Sequence, residues 1–507
     1  IVSVGKFRGR LNEGVEAVRD ALVEILELER TVERIYVYSS HQSDQDIGNS
    51  TSSALKDRAL GLYSKSQEAI SFFNPEIIRQ SDSFVEELQN SDLLRPYFRL
   101  LDEVLRNRPH TLSFEEESLL AGMSELLGGF RQTYSKLVNA DFNFGSIVID
   151  GESHNVTNSS FVRYLRDTRD YVRRSAYDRV YATYASHKHS CASLYSYSVK
   201  KDSLGARVRK FPSSLERALW ADHLPVAVYD KLIDTTSENV DSLHRYFEKR
   251  AAKLGKEKIH HSDVYVSLAP EAKLSIPYET AVELICNSLA PLGQEYVDLL
   301  FEGLIKQRWV DRYENKGKRS GAYSGGCYDS HPYILMNYDE TQLDSIFTLA
   351  HEAGHSMHSL MSRRHQPYHD SGYTIFVAEV ASTFNEILLR EHLRKVWANN
   401  LDLIQKLVES EIDEVRSTFF RQVMFAEFER EIHKRSDNGK ATDLDSMQNF
   451  YKELLQKYFG SSVEFSEESS LEFLRIPHFY SSFYVFKYAT GLAASSSLAK
   501  GVLGGDI

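Results

Sequence analysis

Cysteine is scarce: Cys191, Cys286 and Cys327 are the only 3 in 507 residues. An odd number of distant thiols fits reduced cysteines in a cytosolic protein better than a disulfide framework. Proline and glycine are also few, at 11 and 26, which argues against a loop-rich β architecture and for long helices. Cationic excess is missing as well. Lys and Arg total 60 against 72 Asp and Glu, a net charge of −12, so neither nucleic acid nor an anionic membrane surface is the expected partner. No apolar run reaches the roughly 18 residues that span a bilayer, and no basic segment followed by an apolar stretch opens the chain. The expectation is a cytoplasmic, mostly helical protein long enough for two or three domains. The chain opens at Ile1 rather than Met and stops at LGGDI, which reads as trimming at one end or both.

What is present is helical periodicity. From Leu11 to about Leu137 apolar residues recur at steps of three and four, as in VEAVRDALVEILELERTVERI. Breaks are expected at 41–53 and in the neighbourhood of Asn74-Pro75. Alternating apolar and polar residues around Asp150-Gly151 predict a β-hairpin near 142–160. The domain expectation is therefore an N-terminal helical lobe over 1–165 and a catalytic region over 166–507. GAYSGGCYDSHPYILMNY (321–338) predicts irregular backbone followed by a short strand. Leu343 to Met361 then reads as helix, with Thr341 and Asp344 spaced as a capping box.

That helix carries FTLAHEAGHSMHSLM (347–361). His351 and His355, four apart, share a helical face with Cβ atoms about 5–6 Å apart, so two imidazole nitrogens at ~2.1 Å can share one zinc ion. Glu352, rotated about 100° from His351, flanks that ion as general base. A chance HExxH in a chain this long has a probability on the order of 0.05. The buried setting argues against chance, because unpaired buried histidine and carboxylate are costly. His358 continues the face but lies about 10.5 Å along the axis from His351, too far to bind the same ion; it is expected to pack or to support a ligand. In YTIFVAEVASTFNEILLREHL (373–393), Glu379 and Glu386 are seven apart on one face. Packed against the motif helix, they would offer Glu379 to the metal and Glu386 to the outer nitrogen of a ligand histidine. The alternative for Glu386 is a surface face shared with Arg390.

HEAGHSMH followed by AEVASTFNE resembles the oligoendopeptidase F branch of the thimet oligopeptidase-like zinc metallopeptidases. GAYSGG with PYILMNY, RQVMFAEFEREIH and IPHFYSSFYVFKYATGLAA fit the same branch in the same order. The resemblance implies an elongated, mostly α, two-lobed fold with a deep central channel, a small β element beside the zinc helix, and oligopeptide substrates. It implies one Zn²⁺ per chain on His351, His355 and Glu379, with Glu352 as base. It also implies that His478 with Tyr484 and Tyr488, four apart on a helical face, binds the substrate carbonyl and the developing oxyanion; an aromatic stripe in the core is the plain alternative.

The expected reaction is hydrolysis of internal peptide bonds by metal-activated water. A strand edge near Tyr323, Gly325 and Gly326 would pair with an extended peptide, unless that strand merely supports the zinc helix. Rival readings are a carboxypeptidase or dipeptidyl carboxypeptidase of the same fold, and a catalytically silent peptide-binding protein.

Overall fold

A computed structural model describes residues 1–270 and 273–505, which are mostly helical. The elements used below are α1 (Val15–Gln45), α2 (Ser50–Ile70), β1 (Ser146–Ile149), β2 (Glu152–Asn155), α3 (Lys188–Val208), β3 (Val310–Asp311), β4 (Tyr323–Gly325), β5 (Tyr333–Leu335), α4 (Leu343–His365), α5 (Ile375–Val396), α6 (Arg421–Asp437) and α7 (Phe486–Gly504). The chain divides into two compact units, each discontinuous in sequence. The first comprises Ile1–Thr111, Lys273–Ala398 and Ala494–Ile507, the second Leu112–Ala272 and Asn399–Ala493.

In the first unit, the periodic stripe Val15, Val18, Ala21, Leu22 and Ile25 of α1 is buried with Phe72, Phe73, Ile77, Leu88 and Leu101. Each such side chain contributes about 1.5–3 kcal/mol on leaving water. The expected break over 41–53 shrinks to the short link between Gln45 and Ser50, where Asn49 caps α2 by accepting from the Thr51 and Ser52 backbone. The expected break near Asn74-Pro75 is present just before them: one helix ends at Ile70 and a short one, Phe73–Ile78, begins with both residues inside it, proline being tolerated in a first turn whose N–H groups lack partners anyway.

β5 lies between β3, parallel to it, and β4, antiparallel to it. YIL is thus the central strand, and β4 is an edge. α4 follows from β5. Asp344 in its first turn and Arg363, Arg364 and His365 in its last complement the helix dipole. The expected capping box is absent: the N-cap is Gln342 with no side-chain bond, because the Thr341 hydroxyl is already committed to Asp339 at 2.7 Å. The small residues Ala350, Ala353 and Gly354 let α5 come close. A Cβ on Gly354 would sit 2.7 Å from both the Ala381 carbonyl oxygen and the Ser382 Cα, and the Asn385 amide donates across the gap to the Ala350 carbonyl at 3.3 Å.

In the second unit, β1 and β2 form the expected hairpin, with Ile149 opposite Glu152. Asp150 at φ 51° and Gly151 at φ 89° make its turn, positive φ at both centres being what a tight right-twisted hairpin requires. No helix among the described residues is long and apolar enough to cross a membrane.

Candidate metal centre

α4 and α5 each contribute side chains to one cluster. His351 Nε2 and His355 Nε2 are 3.2 Å apart, and Glu379 Oε2 lies 3.5 Å from the first and 3.8 Å from the second. Tetrahedral coordination with bonds of ~2.1 Å sets donors roughly 3.4 Å apart, so the three atoms already have the spacing a zinc ion requires. Among the described residues this is the one group of three or more His, Cys, Asp or Glu side chains that could hold a metal ion.

The surroundings set the protonation of each donor. His351 Nδ1 and Glu386 Oε1 are 2.6 Å apart. That contact puts the ring proton on Nδ1 and turns Nε2 towards the cluster as a lone pair. Burial lowers the His351 pKa, but the bond to Glu386 and the charges of Glu386, Glu352 and Glu379 outweigh it and the net direction is upward. Burial drives His355 down to about 4, helped by His351 and His358 and opposed by a hydrogen bond to the Ala378 carbonyl. His355 therefore stays neutral, as a ligand must. Three carboxylates, Glu352, Glu379 and Glu386, gather here, and none forms an ion pair with a lysine or arginine among the described residues. Such a group of acceptors fits a divalent cation.

Glu352 is 7% exposed. Burial raises its pKa, with Glu379 and Glu386 adding to the rise and His351 and the Ser324 backbone opposing it. Ser324 is a residue the sequence did not single out. Its hydroxyl meets that of Ser356 on α4 at 2.8 Å, so the edge strand β4 presents its middle residue to the metal helix. Alternation along a strand was the available signal: with Tyr323 and Gly325 facing one way, Ser324 faces the other. The Tyr323 hydroxyl accordingly donates to Asp44 at 3.0 Å, and Gly325 lies against His41, whose Nε2 would be 2.8 Å from an added Cβ. Gly326 has φ 148° and sits so close to the His331 carbonyl that no side chain fits.

His358 takes no part in the cluster of donors. Its ring stacks on Tyr373 at 3.9 Å and 17°, and the Tyr373 hydroxyl meets Ser359 at 2.6 Å.

His478, Tyr484 and Tyr488 lie in the second unit and group together. Their rings are 6.3 Å apart for His478 and Tyr484, 6.1 Å for His478 and Tyr488, and 5.4 Å for the two tyrosines. They do not share a helical face, as the spacing suggested. His478 is in a short 3₁₀ turn, Pro477–Tyr480, and Tyr484 precedes α7, which begins only at Phe486; the intervening Phe483 has φ 59°, which no helix accommodates. Burial, with the charge of Arg131, lowers the His478 pKa.

Comparison with known proteins agrees with this geometry. Peptidase family M3 matches residues 163–504, and the Oligopeptidase F family matches residues 76–144. Oligopeptidase PepF of Bacillus subtilis is 41% identical over 99% of this chain and 75% of its own length. An oligoendopeptidase F homolog of Borreliella burgdorferi is 38% identical over 97% and 83%. Among solved structures, one from Chlamydophila abortus superposes with a TM-score of 0.92 at 36% identity, covering 97% of this chain and 82% of that one. The oligoendopeptidase-F of Enterococcus faecium gives 0.74 at 33%, covering 99% and 85%. A mostly helical fold, an HExxH helix with its carboxylate partner and these matches along nearly the whole chain lead to one assignment: the protein belongs to peptidase family M3, in its oligoendopeptidase F group.

Proposed function

We propose that the chain is a zinc-dependent endopeptidase that cleaves internal bonds of short oligopeptides. The observation that carries this reading is the convergence of His351, His355 and Glu379 beside the buried carboxylate of Glu352. His351 and His355 would hold the ion through Nε2 and Glu379 through a carboxylate oxygen, with Glu386 keeping His351 in the binding tautomer. A zinc ion held there would supply Lewis-acid chemistry towards the scissile carbonyl and a water molecule. Glu352, raised in pKa by burial, takes the proton from the attacking water and returns it to the leaving amine. His478, Tyr484 and Tyr488 donate to the carbonyl oxygen as it becomes an oxyanion, contacts whose loss typically costs about 10²–10³ in rate.

The edge strand β4 supports binding by main-chain pairing, since an extended peptide added to it would need no particular side chains. Tyr323, Gly325 and Gly326 shape that edge. A cytoplasmic setting fits the three free, buried thiols.

The test joins two measurements. Wild-type protein should contain zinc and cut a C-terminally amidated, internally quenched peptide at an interior bond, which a carboxypeptidase or dipeptidyl carboxypeptidase would leave intact. Glu352→Gln should keep the metal and lose about 10²–10⁴ in kcat. Cleavage by Glu352→Gln at the wild-type rate would refute the mechanism.

A further inference from the structure

The RQVMFAEFEREIH stretch contains a glutamate that the reaction above does not use. Glu429, on α6, is fully buried at 0% exposure. Its Oε1 accepts from the backbone N–H of Phe483 at 3.0 Å, its Oε2 has no hydrogen-bond partner, and it forms no ion pair among the described residues. Burial holds its pKa well above the usual carboxylate range, the charge of Asp202 adds to this, and the Phe483 N–H opposes it. Glu429 is therefore a buried carboxyl group biased towards its neutral form, and its one hydrogen bond goes to a loop backbone.

One residue earlier the same loop is held again. The Ser482 hydroxyl donates to Asp202 Oδ2, on α3, at 2.6 Å. Asp202 also lies 3.6 Å from His433 Nε2. Between these anchors the backbone makes an abrupt turn. Phe483 has φ 59°, a conformation a bulky L-residue adopts only where its surroundings impose it. Its ring is 3% exposed and packs on His433 at 4.4 Å and on Tyr229 at 5.8 Å. His478 lies four residues before Ser482, Tyr484 directly after Phe483, and Tyr488 in the first turn of α7. The elbow at 482–483 thus sets how the imidazole and the two phenols face one another.

We propose that Glu429 and Asp202 are positioning residues for the carbonyl-binding group: by clamping Phe483 and Ser482 they fix the hydroxyls of Tyr484 and Tyr488 relative to His478. This rests on the role given to those three residues above. Neither carboxylate touches substrate. Both act through the elbow, where a displacement of about 1 Å is enough to cost on the order of 10²-fold in rate.

The experiment measures kcat and KM on the amidated, internally quenched peptide, with zinc content and circular dichroism as controls. Glu429→Met removes the acceptor at similar volume and should lower kcat and kcat/KM together by about 10–10²-fold, the pattern of an interaction expressed in the transition state. Glu429→Gln keeps a neutral acceptor for the Phe483 N–H and should recover most of that loss. Ser482→Ala, a mild change that leaves the core intact, should lower kcat in the same sense; it decides the matter if Glu429→Met does not fold. Tyr484→Phe and Tyr488→Phe are measured alongside, and the more damaging of them should add little in the Glu429→Met background, because the two changes disable one unit. Wild-type kcat in folded Glu429→Met and Ser482→Ala, or equal losses in the Met and Gln variants, overturns the clamp. If the clamp variants are silent while a tyrosine variant loses about 10²–10³, the clamp alone is wrong. If both tyrosine variants keep wild-type kcat, the carbonyl-binding role is wrong and the inference goes with it.

Discussion

Glu472, fully buried, and the glutamates around His351, of which Glu352 is buried and Glu379 and Glu386 half-buried, are carboxylates beside histidine with opposite surroundings. In the second unit, Glu472 is 0% exposed, and its oxygens are taken by Arg421 at 2.6 Å and Tyr451 at 2.9 Å, with Arg475 at 3.4 Å. Burial would raise its pKa, but the charges of Arg421, His261 and Arg475 bring it down to about 2. Nearby His261, pushed down to about 3 by burial, meets the Tyr177 hydroxyl at 3.0 Å. In the first unit, Glu352, Glu379 and Glu386 crowd two histidines and, among the described residues, form no ion pair with arginine or lysine. The same residue types are thus closed by protein in one place and spaced so that they could hold a cation in the other. A carboxylate whose bonds are filled from its own chain holds the fold; several gathered around histidine nitrogens at metal-donor spacing leave room for a cation.

The comparison breaks most readily at Glu472. Glu472→Ala leaves Arg421 buried and uncompensated, and should cost about 3–5 kcal/mol, read as a lower urea midpoint with zinc content per folded chain unchanged. Equal stability would mean that the cluster is ornamental. Acid should act on the same group without mutation. Its folded pKa, about 2, lies below the unfolded value near ~4.3, so its contribution is whole above about pH 4.3 and is lost as pH falls towards 2. That is on the order of 2–3 kcal/mol at the acid end, and Glu472→Gln should flatten that part of the stability profile. The smaller effect belongs to the metal side. Glu386→Gln keeps the packing of α5 but weakens the acceptor for His351, and zinc affinity should fall about 10–100-fold in a chelator competition, with the urea midpoint of the metal-free protein little changed. Loss of stability without loss of affinity would make Glu386 a fold residue like Glu472.

Much of the candidate site, as a cluster of side chains, was legible because helical spacing is rigid arithmetic. Four residues put His351 and His355 on one face, and seven put Glu379 and Glu386 on another, so the cluster needed only that α4 and α5 pack together. The hairpin at Asp150-Gly151 was legible because its turn chemistry is local. What was hidden depends on distant partners. The Thr341 hydroxyl could have capped a helix but was taken by Asp339. Tyr484 was read as helical because nothing local announces the elbow, which is imposed by Glu429 and Asp202, 54 and 280 residues away in sequence. Asp44 at the end of α1 accepts from Arg319 and Tyr323, more than 270 residues on, and no linear pattern signals such a tie. Units assembled from separated stretches of chain carry no boundary in composition.

Gly354 gives the metal centre its scale. Two of the three candidate donors ride on one helix and the third on its neighbour, so the distance between donors follows the distance between two backbones. A single methyl at position 354 would drive into Ala381 and Ser382, two and three residues beyond Glu379. The calibre of the site is set by a carbon atom the chain omits. Changing which ions fit need not involve any ligand at all, only a thicker spacer between the helices that carry them.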